Sequence, residues 1–169
     1  HYEVAGRAEG RGFARVPSRE EIVRAMVDTA GRGVELGPLN QPMMARRDGF
    51  DVLIVDYLDT DALRAKYGTD AHPDVDPAVI EEVDVVSRGE PLVELLGVEG
   101  AFDWVVAGHV IEHIPDLVSF LQDVERILGP EGRLALAVPD LRVTLDHYGE
   151  ATSTGQVLDA HRERRTRPT

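Results

Sequence analysis

The stretch HVIEH, His109 to His113, sets two histidines four residues apart with a glutamate beside the second. Inside a long helix that spacing would clamp a zinc ion and offer the glutamate as a base. Two neighbours argue against it. The residues just before, FDWVVAG, run apolar in the manner of a buried strand, so His109 falls at a strand end. Pro115 follows two residues after His113 and cannot sit in a helix interior. The expectation is therefore no metal site. His109 faces a crevice beyond the strand, His113 sits in the opening turn of a helix and fixes the loop that points His109, and Glu112 is a first-turn residue favoured by the helix dipole.

A histidine at a strand end needs a sheet to position it, and the chain supplies the pattern for one. SREEIVRAMVDTAG reads as a helix with a capping box of Ser18 and Glu21, an apolar stripe of Ile22, Val23, Met26 and Val27, and a stop at Gly31. Strands and helices then alternate. GVELG, FDVLIVDY, EEVDVVS, FDWVVAG and GRLALAVPD read as strands; TDALRAKYG (capped by Thr60, stopped at Gly68), PLVELLG and DLVSFLQDVERILG read as helices. Nearly continuous apolar strands alternating with helices predict an open, mostly parallel, doubly wound α/β sheet of Rossmann-like type. Residues 1–17 read as an arm, 18–140 as the sheet domain and 141–169 as a C-terminal helical segment. Trp104, Met26, Met43 and Met44 read as packing residues.

Composition bounds the partners. The chain has 169 residues, 43% of them hydrophobic and 29% charged, which suits one globular domain with a real core. A net charge of −13 argues against a nucleic acid, whose phosphates want a basic surface. The basic run HRERRTRPT reads as a solvated helix end. With no cysteine, neither disulfides nor thiolate metal sites are available, and a cytoplasmic location is expected. No apolar run approaches the roughly 20 residues of a membrane span. The first residue is His1 rather than methionine, so the start is read as processed or trimmed.

In open α/β sheets, ligands bind beyond the carboxyl ends of the strands, at the point where strand order switches. The residues there are Glu35, Gly37 and Pro38 after the first strand and Asp56 after the second. Ser87 and Arg88 follow the third, Gly108 and His109 the fourth, and Pro139 and Asp140 the fifth. A glycine in the first loop lets backbone approach a ligand. About twenty residues on, an acid at the second strand end can accept hydrogen bonds from both hydroxyls of a ribose.

VELGPLNQP, VLIVDYL and FDWVVAGHVIEHIPDLVSFLQDVERILGPEGRLALAVPD together resemble the class I S-adenosylmethionine-dependent methyltransferases of small-molecule type, over roughly Val34 to Asp140. The resemblance implies S-adenosylmethionine as cofactor and a small-molecule acceptor, sugar- or lipid-linked. It places Glu35, Gly37 and Pro38 by the methionine moiety and Asp56 on the ribose hydroxyls. Ser87 and Arg88 would flank the adenine edge, and Ala107, Gly108 and His109 would form the floor near the sulfonium. His109 is the first candidate for a general base and Asp140 the second; a carboxylate acceptor would need none. His147 and Tyr148 are weaker candidates for the substrate side. The family loop E-x-G-x-G-x-G carries Leu39 and Gln41 at its second and third glycines here, and Arg88 stands where an acid is more usual. The last two strands of the family fold are also missing, which would expose the fifth strand as an apolar edge. A longer chain or a homodimer partner would cover it.

Two other functions fit less well. A non-catalytic S-adenosylmethionine-binding module is compatible with the altered glycine loop and the missing terminal strands. A nicotinamide-dependent oxidoreductase would carry G-x-G-x-x-G opening a helix, where GPLNQP places two prolines.

Overall fold

A computed structural model of the chain describes residues 15–143 and 150–166. His147 and Tyr148 lie outside the described residues, as does most of the expected arm. In chain order the elements are α1 (Arg19–Arg24), β1 (Gly33–Leu36), β2 (Val52–Asp56), α2 (Thr60–Tyr67) and β3 (Val85–Val86). They continue with α3 (Leu92–Leu96), β4 (Phe102–Gly108), α4 (Leu117–Ile127), β5 (Leu128–Ala137) and α5 (Thr154–Arg162). The five strands form one parallel sheet in the order β3-β2-β1-β4-β5. The expected Rossmann-like sheet is present. Strand order reverses between β1 and β4.

Alternation along β4 explains why the sheet is buried on both faces. Trp104 and Val106 point into an apolar cluster with Val23, Val27, Met43, Met44, Val52 and Ile54. Val105 and Ala107 point the other way, into a cluster with Val34, Leu36, Leu92, Val93, Val124 and Ile127. Trp104 is fully buried and its indole N–H donates to the Gly31 carbonyl at 3.1 Å. Its ring lies directly over Gly33, where any Cβ would fall 1.9 Å from a ring carbon. Gly33 opens β1 because nothing larger fits beneath the tryptophan.

Several boundaries differ from the sequence expectation, each for a local reason. The capping box of Ser18 and Glu21 forms, but α1 ends at Arg24 rather than near Gly31. Val23 and Val27 are buried, while Ile22 and Met26 face outward. Asp59, not Thr60, caps α2, its carboxylate accepting from the Ala62 N–H at 2.8 Å, and the Thr60 hydroxyl instead accepts from the Val83 N–H at 2.9 Å. β3 shrinks to two residues. Before it, the Asp84 carboxylate accepts from the Ile54 N–H at 2.6 Å and pairs with Arg46. Pro91 brings no side-chain cap to α3; Asp123 of α4 supplies it, accepting from the N–H groups of Leu92 and Val93.

β5 begins at Leu128, earlier than GRLALAVPD suggested, with a register shift opposite Phe102 and Trp104. It lies at the edge of the sheet, and Leu134 and Leu136 are half-buried there. The basic C-terminal run is more than a solvated end. His161 of α5 sets Nδ1 3.1 Å from the Asp116 carboxylate at the start of α4, and the same carboxylate caps the Ser119 N–H at 3.0 Å. Among the described residues no helix is long and apolar enough to cross a membrane.

Candidate active site

Glu35 occupies the middle of β1, fully buried on the face that carries Trp104. A carboxylate in such a place must be paired. It accepts from the Met43 N–H at 2.7 Å and the Met44 N–H at 2.9 Å, so both oxygens tie the far end of the loop leaving β1 back onto the strand. Burial pushes its carboxyl up to about 7, against the pull of those two N–H groups. The first task of Glu35 is thus to hold the loop.

The loop itself turns through two left-handed residues, Gly37 with φ 59° and Leu39 with φ 47°. A Cβ on Gly37 would also crowd Val110 at 3.2 Å. Leu39 stands where the family pattern has its second glycine, and its backbone keeps the glycine-like conformation despite the side chain. For a leucine that is a strained state, of order 1–2 kcal/mol. A third left-handed residue, His109 with φ 57°, follows the end of β4. Its N–H donates to the Ala137 carbonyl of β5 at 3.0 Å, which pins the turn.

These turns enclose one cavity of about 260 Å³, lined by Arg19, Glu35, Gly37 to Gln41, Met43, Gly108 and His109. It sits between the carboxyl ends of β1 and β4, at the switch point of the strand order. A Cβ at Gly108 would meet Met43 Cε, the tip of a flexible side chain, at 2.6 Å. Another concavity, of about 430 Å³ and lined by Asp59, Thr60, Asp61, Arg64 and Glu82, lies away from these strand ends.

Asp56 ends β2 immediately beside the loop, 5% exposed, with Oδ1 accepting from the Tyr57 N–H at 2.8 Å. Burial raises its carboxyl above the ordinary value, while the N–H groups of Tyr57 and Leu39 pull it down. Ser87 accepts from the Gly89 N–H at 3.3 Å and donates its own N–H to the Asp56 carbonyl at 2.8 Å, keeping the β3 end against β2. Arg88 is exposed; its N–H meets the Glu90 carboxylate at 2.6 Å, so an acid does stand in this turn, two residues late.

Of the residues expected to converge, Glu35, Gly37, Pro38, Gly108 and His109 line the cavity; Asp56, at the end of the neighbouring strand β2, and Ser87 and Arg88, after β3, do not. Ala107 does not; its side chain packs in the apolar cluster on the other face. Asp140 is exposed and locked to Arg142, which donates to both its oxygens, and that guanidinium holds the carboxyl below the usual range. His113 is exposed and, among the described residues, contributes only its backbone N–H, to the Val110 carbonyl at 2.9 Å. The expected helix start is a single 3-10 turn, Ile111–His113, separate from α4. Within it Glu112 reaches back to His109, Oε1 to Nδ1 at 3.4 Å. Sequence reasoning gave that task to His113; the three-residue spacing from His109 to Glu112 was the available signal. Arg19 was missed too. Among the described residues no cluster of His, Asp and Glu has the geometry to hold a metal ion.

A structure of the methyltransferase CalH in complex with SAH aligns with 69% of the chain at 21% identity and TM-score 0.44, and the chain spans 35% of that protein. A SAM-dependent methyltransferase from Thermotoga maritima aligns with 85% of the chain and 67% of its own length, at 18% identity and TM-score 0.50. A TehB-like SAM-dependent methyltransferase from Corynebacterium glutamicum covers 96% of the chain and 79% of itself, at 15% identity and TM-score 0.49. No curated protein sequence matches significantly. A sequence profile described as a methyltransferase domain matches residues 19–167, nearly the whole chain, and the chain belongs to that family.

Proposed function

We propose that the chain binds S-adenosylmethionine at the β1–β4 switch point and transfers its methyl group to a small-molecule acceptor, sugar- or lipid-linked. The observation that carries this reading is the cavity framed by three left-handed residues, with Asp56 at the neighbouring strand end. The residues suit the cofactor. Gly37 lets the backbone approach closely, Leu39 preserves the conformation of the glycine it replaces, and a buried carboxylate at Asp56 can receive two ribose hydroxyls. The left-handed backbone at Leu39 supports a working loop over a binding-only module.

The cofactor, when bound, supplies an activated methyl group on sulfur. The protein's part is to align, to exclude water and to manage a proton. Ser87 and Arg88 flank the adenine side, and Gly108 and His109 form the floor. With a hydroxyl acceptor, His109 is the base. An Nδ1–H turned toward Glu112 leaves Nε2 to accept the proton. Asp140 is the weaker candidate because Arg142 already holds its charge. A carboxylate acceptor needs no base.

Thermal unfolding during a titration with S-adenosylhomocysteine tests the reading. Saturation at about a hundred times Kd should stabilise the fold by about 2.7 kcal/mol. No shift with S-adenosylhomocysteine or S-adenosylmethionine, or a shift with NAD alone, would sink it. Radiolabelled methyl transfer to a panel of sugar- and lipid-linked acceptors then tests the acceptor class.

A further inference from the structure

Outside the cavity, Asp116, Ser119 and His161 meet where α5 packs on the start of α4. His161 Nδ1 lies 3.1 and 3.2 Å from the two Asp116 oxygens. Ser119 sends its N–H to one of those oxygens at 3.0 Å and its hydroxyl to the other at 2.7 Å. The residue types are those of a hydrolase triad, but the arrangement is not. The hydroxyl lies 3.3 Å from the same Nδ1 that faces the carboxylate, so no ring stands between them to relay a proton. What the cluster does is join two helices.

α5 has little else to hold it. Ala160 is its one buried residue, Val157 is half-buried and Leu158 is 44% exposed. The methyl of an alanine is a small apolar anchor, so the polar contact carries a large share of the docking. Asp116 is buried, and a buried carboxylate keeps its charge only with partners. Burial alone would raise its carboxyl; the N–H and hydroxyl of Ser119 and the imidazole bring it below the ordinary value.

The other charged groups of these elements are engaged elsewhere or exposed. On α5 and just after it, Asp159 pairs with Arg162 and Glu163 with Arg165, and Arg164 is exposed. On α4, Asp123 caps α3, Arg126 pairs with Glu99 and Glu125 is exposed. In the turn before α4, Glu112 faces His109 and His113 is exposed.

We propose that Asp116 and His161 form a pH-responsive clasp, which docks α5 on α4 while the imidazole carries a proton and the carboxylate does not. A histidine that gains a carboxylate on folding stabilises at low pH and loses that contribution as pH rises. An aspartate held below its ordinary value stabilises above that value and loses the contribution as pH falls further. Docking is therefore tightest in mildly acid solution and loosens toward alkaline pH, across the range in which histidines change charge.

Amide hydrogen exchange of the whole chain, read at about pH 5.5 and about pH 8.5 and corrected for intrinsic exchange rates, tests the clasp. Opening of α5 should be favoured about fivefold or more at the higher pH, the difference between a charged and a neutral hydrogen bond. His161→Asn leaves an uncharged donor near the Nδ1 position, and Asp116→Asn keeps a helix cap without the charge. Either should reduce the dependence to about twofold or less. Glu35 also makes stability depend on pH, but it acts on the whole fold and is present in all three chains. Its effect shows in the β4 amides, and the difference between chains belongs to the clasp. Protected β4 amides certify the fold of each variant; should one lose them, the other carries the comparison. A parent α5 that opens equally at both pH values overturns the proposal, and so does a dependence that survives the substitutions.

Discussion

The imidazole Nδ1 of His109 lies 3.4 Å from Oε1 of Glu112, three residues later in the same turn. The pair is set by backbone, because the left-handed conformation of His109 folds the chain back so that the next turn presents its glutamate. One nitrogen of the ring thereby faces a carboxylate, and the residue itself lines the cavity.

His109→Asn tests that assignment with little disturbance, since asparagine tolerates a left-handed backbone. Turnover of a hydroxyl acceptor should fall by about a hundredfold or more, and by much more than S-adenosylhomocysteine affinity, which loses only the contact of the ring with the cavity floor. Glu112→Gln should cost about tenfold in turnover by releasing the ring. His113→Ala should alter neither turnover nor, beyond about 0.5 kcal/mol, stability. Steady-state kinetics beside calorimetry reads all three, and a loss in His113→Ala as large as in His109→Asn would refute the division of roles.

Glu35 should give the fold a measurable pH dependence. Its carboxyl is raised from 4.5 to about 7, so between those values the folded chain holds a proton that the unfolded chain has released. Stability from this group is full below about 4.5 and is lost as pH rises toward 7, by up to about 3 kcal/mol. Glu35→Gln should flatten that slope. It should also lower stability by about 1–3 kcal/mol, because the amide can accept from only one of the Met43 and Met44 N–H groups. Urea unfolding across pH 4.5–8 measures both, and an unchanged slope in Glu35→Gln would assign the effect elsewhere.

The two left-handed residues of the loop should respond in opposite ways to exchange. Leu39→Gly relieves a strained leucine but loosens the unfolded chain, and the two effects nearly cancel, to within about 1 kcal/mol. Gly37→Ala brings strain of about 1–2 kcal/mol and presses on Val110. It should lower the melting temperature and weaken S-adenosylhomocysteine, whereas Leu39→Gly should do neither. If both are neutral, the loop conformation in solution is not the one described.

Gly33→Ala should be among the most damaging single-methyl changes in the chain. The new Cβ would lie 1.9 Å from the ring of a tryptophan that is itself fully buried and has nowhere to go. A loss of about 3 kcal/mol or more is expected in denaturant unfolding, at the upper end for overpacking.

Local physics made much of this fold legible from the chain alone. The apolar runs of β2 and β4, the capping box at Ser18 and the polar residues at strand ends needed only periodicity and turn chemistry. What escaped notice depends on distant partners. Nothing near Leu92 announces that Asp123 will cap its helix, and nothing near Asp116 announces His161. Thr60 lost the cap of α2 to Asp59 because Val83, over twenty residues away, claimed its hydroxyl. The site divides the same way. Gly37, Asp56 and His109 could be placed by counting along strands, while Arg19 enters the cavity from a helix whose docking no local pattern reveals.

The walls of the cavity come from parts of the chain far apart in sequence; across the β1–β4 seam, Arg32 and Asp103 are hydrogen-bonded over a separation of 71 residues. Closing so long a loop is slow, and it comes after the local helices can form. The cavity exists only once that closure is made. Occupancy of the site is therefore a census of completed molecules, and a ligand added during refolding should slow unfolding without hastening the first collapse.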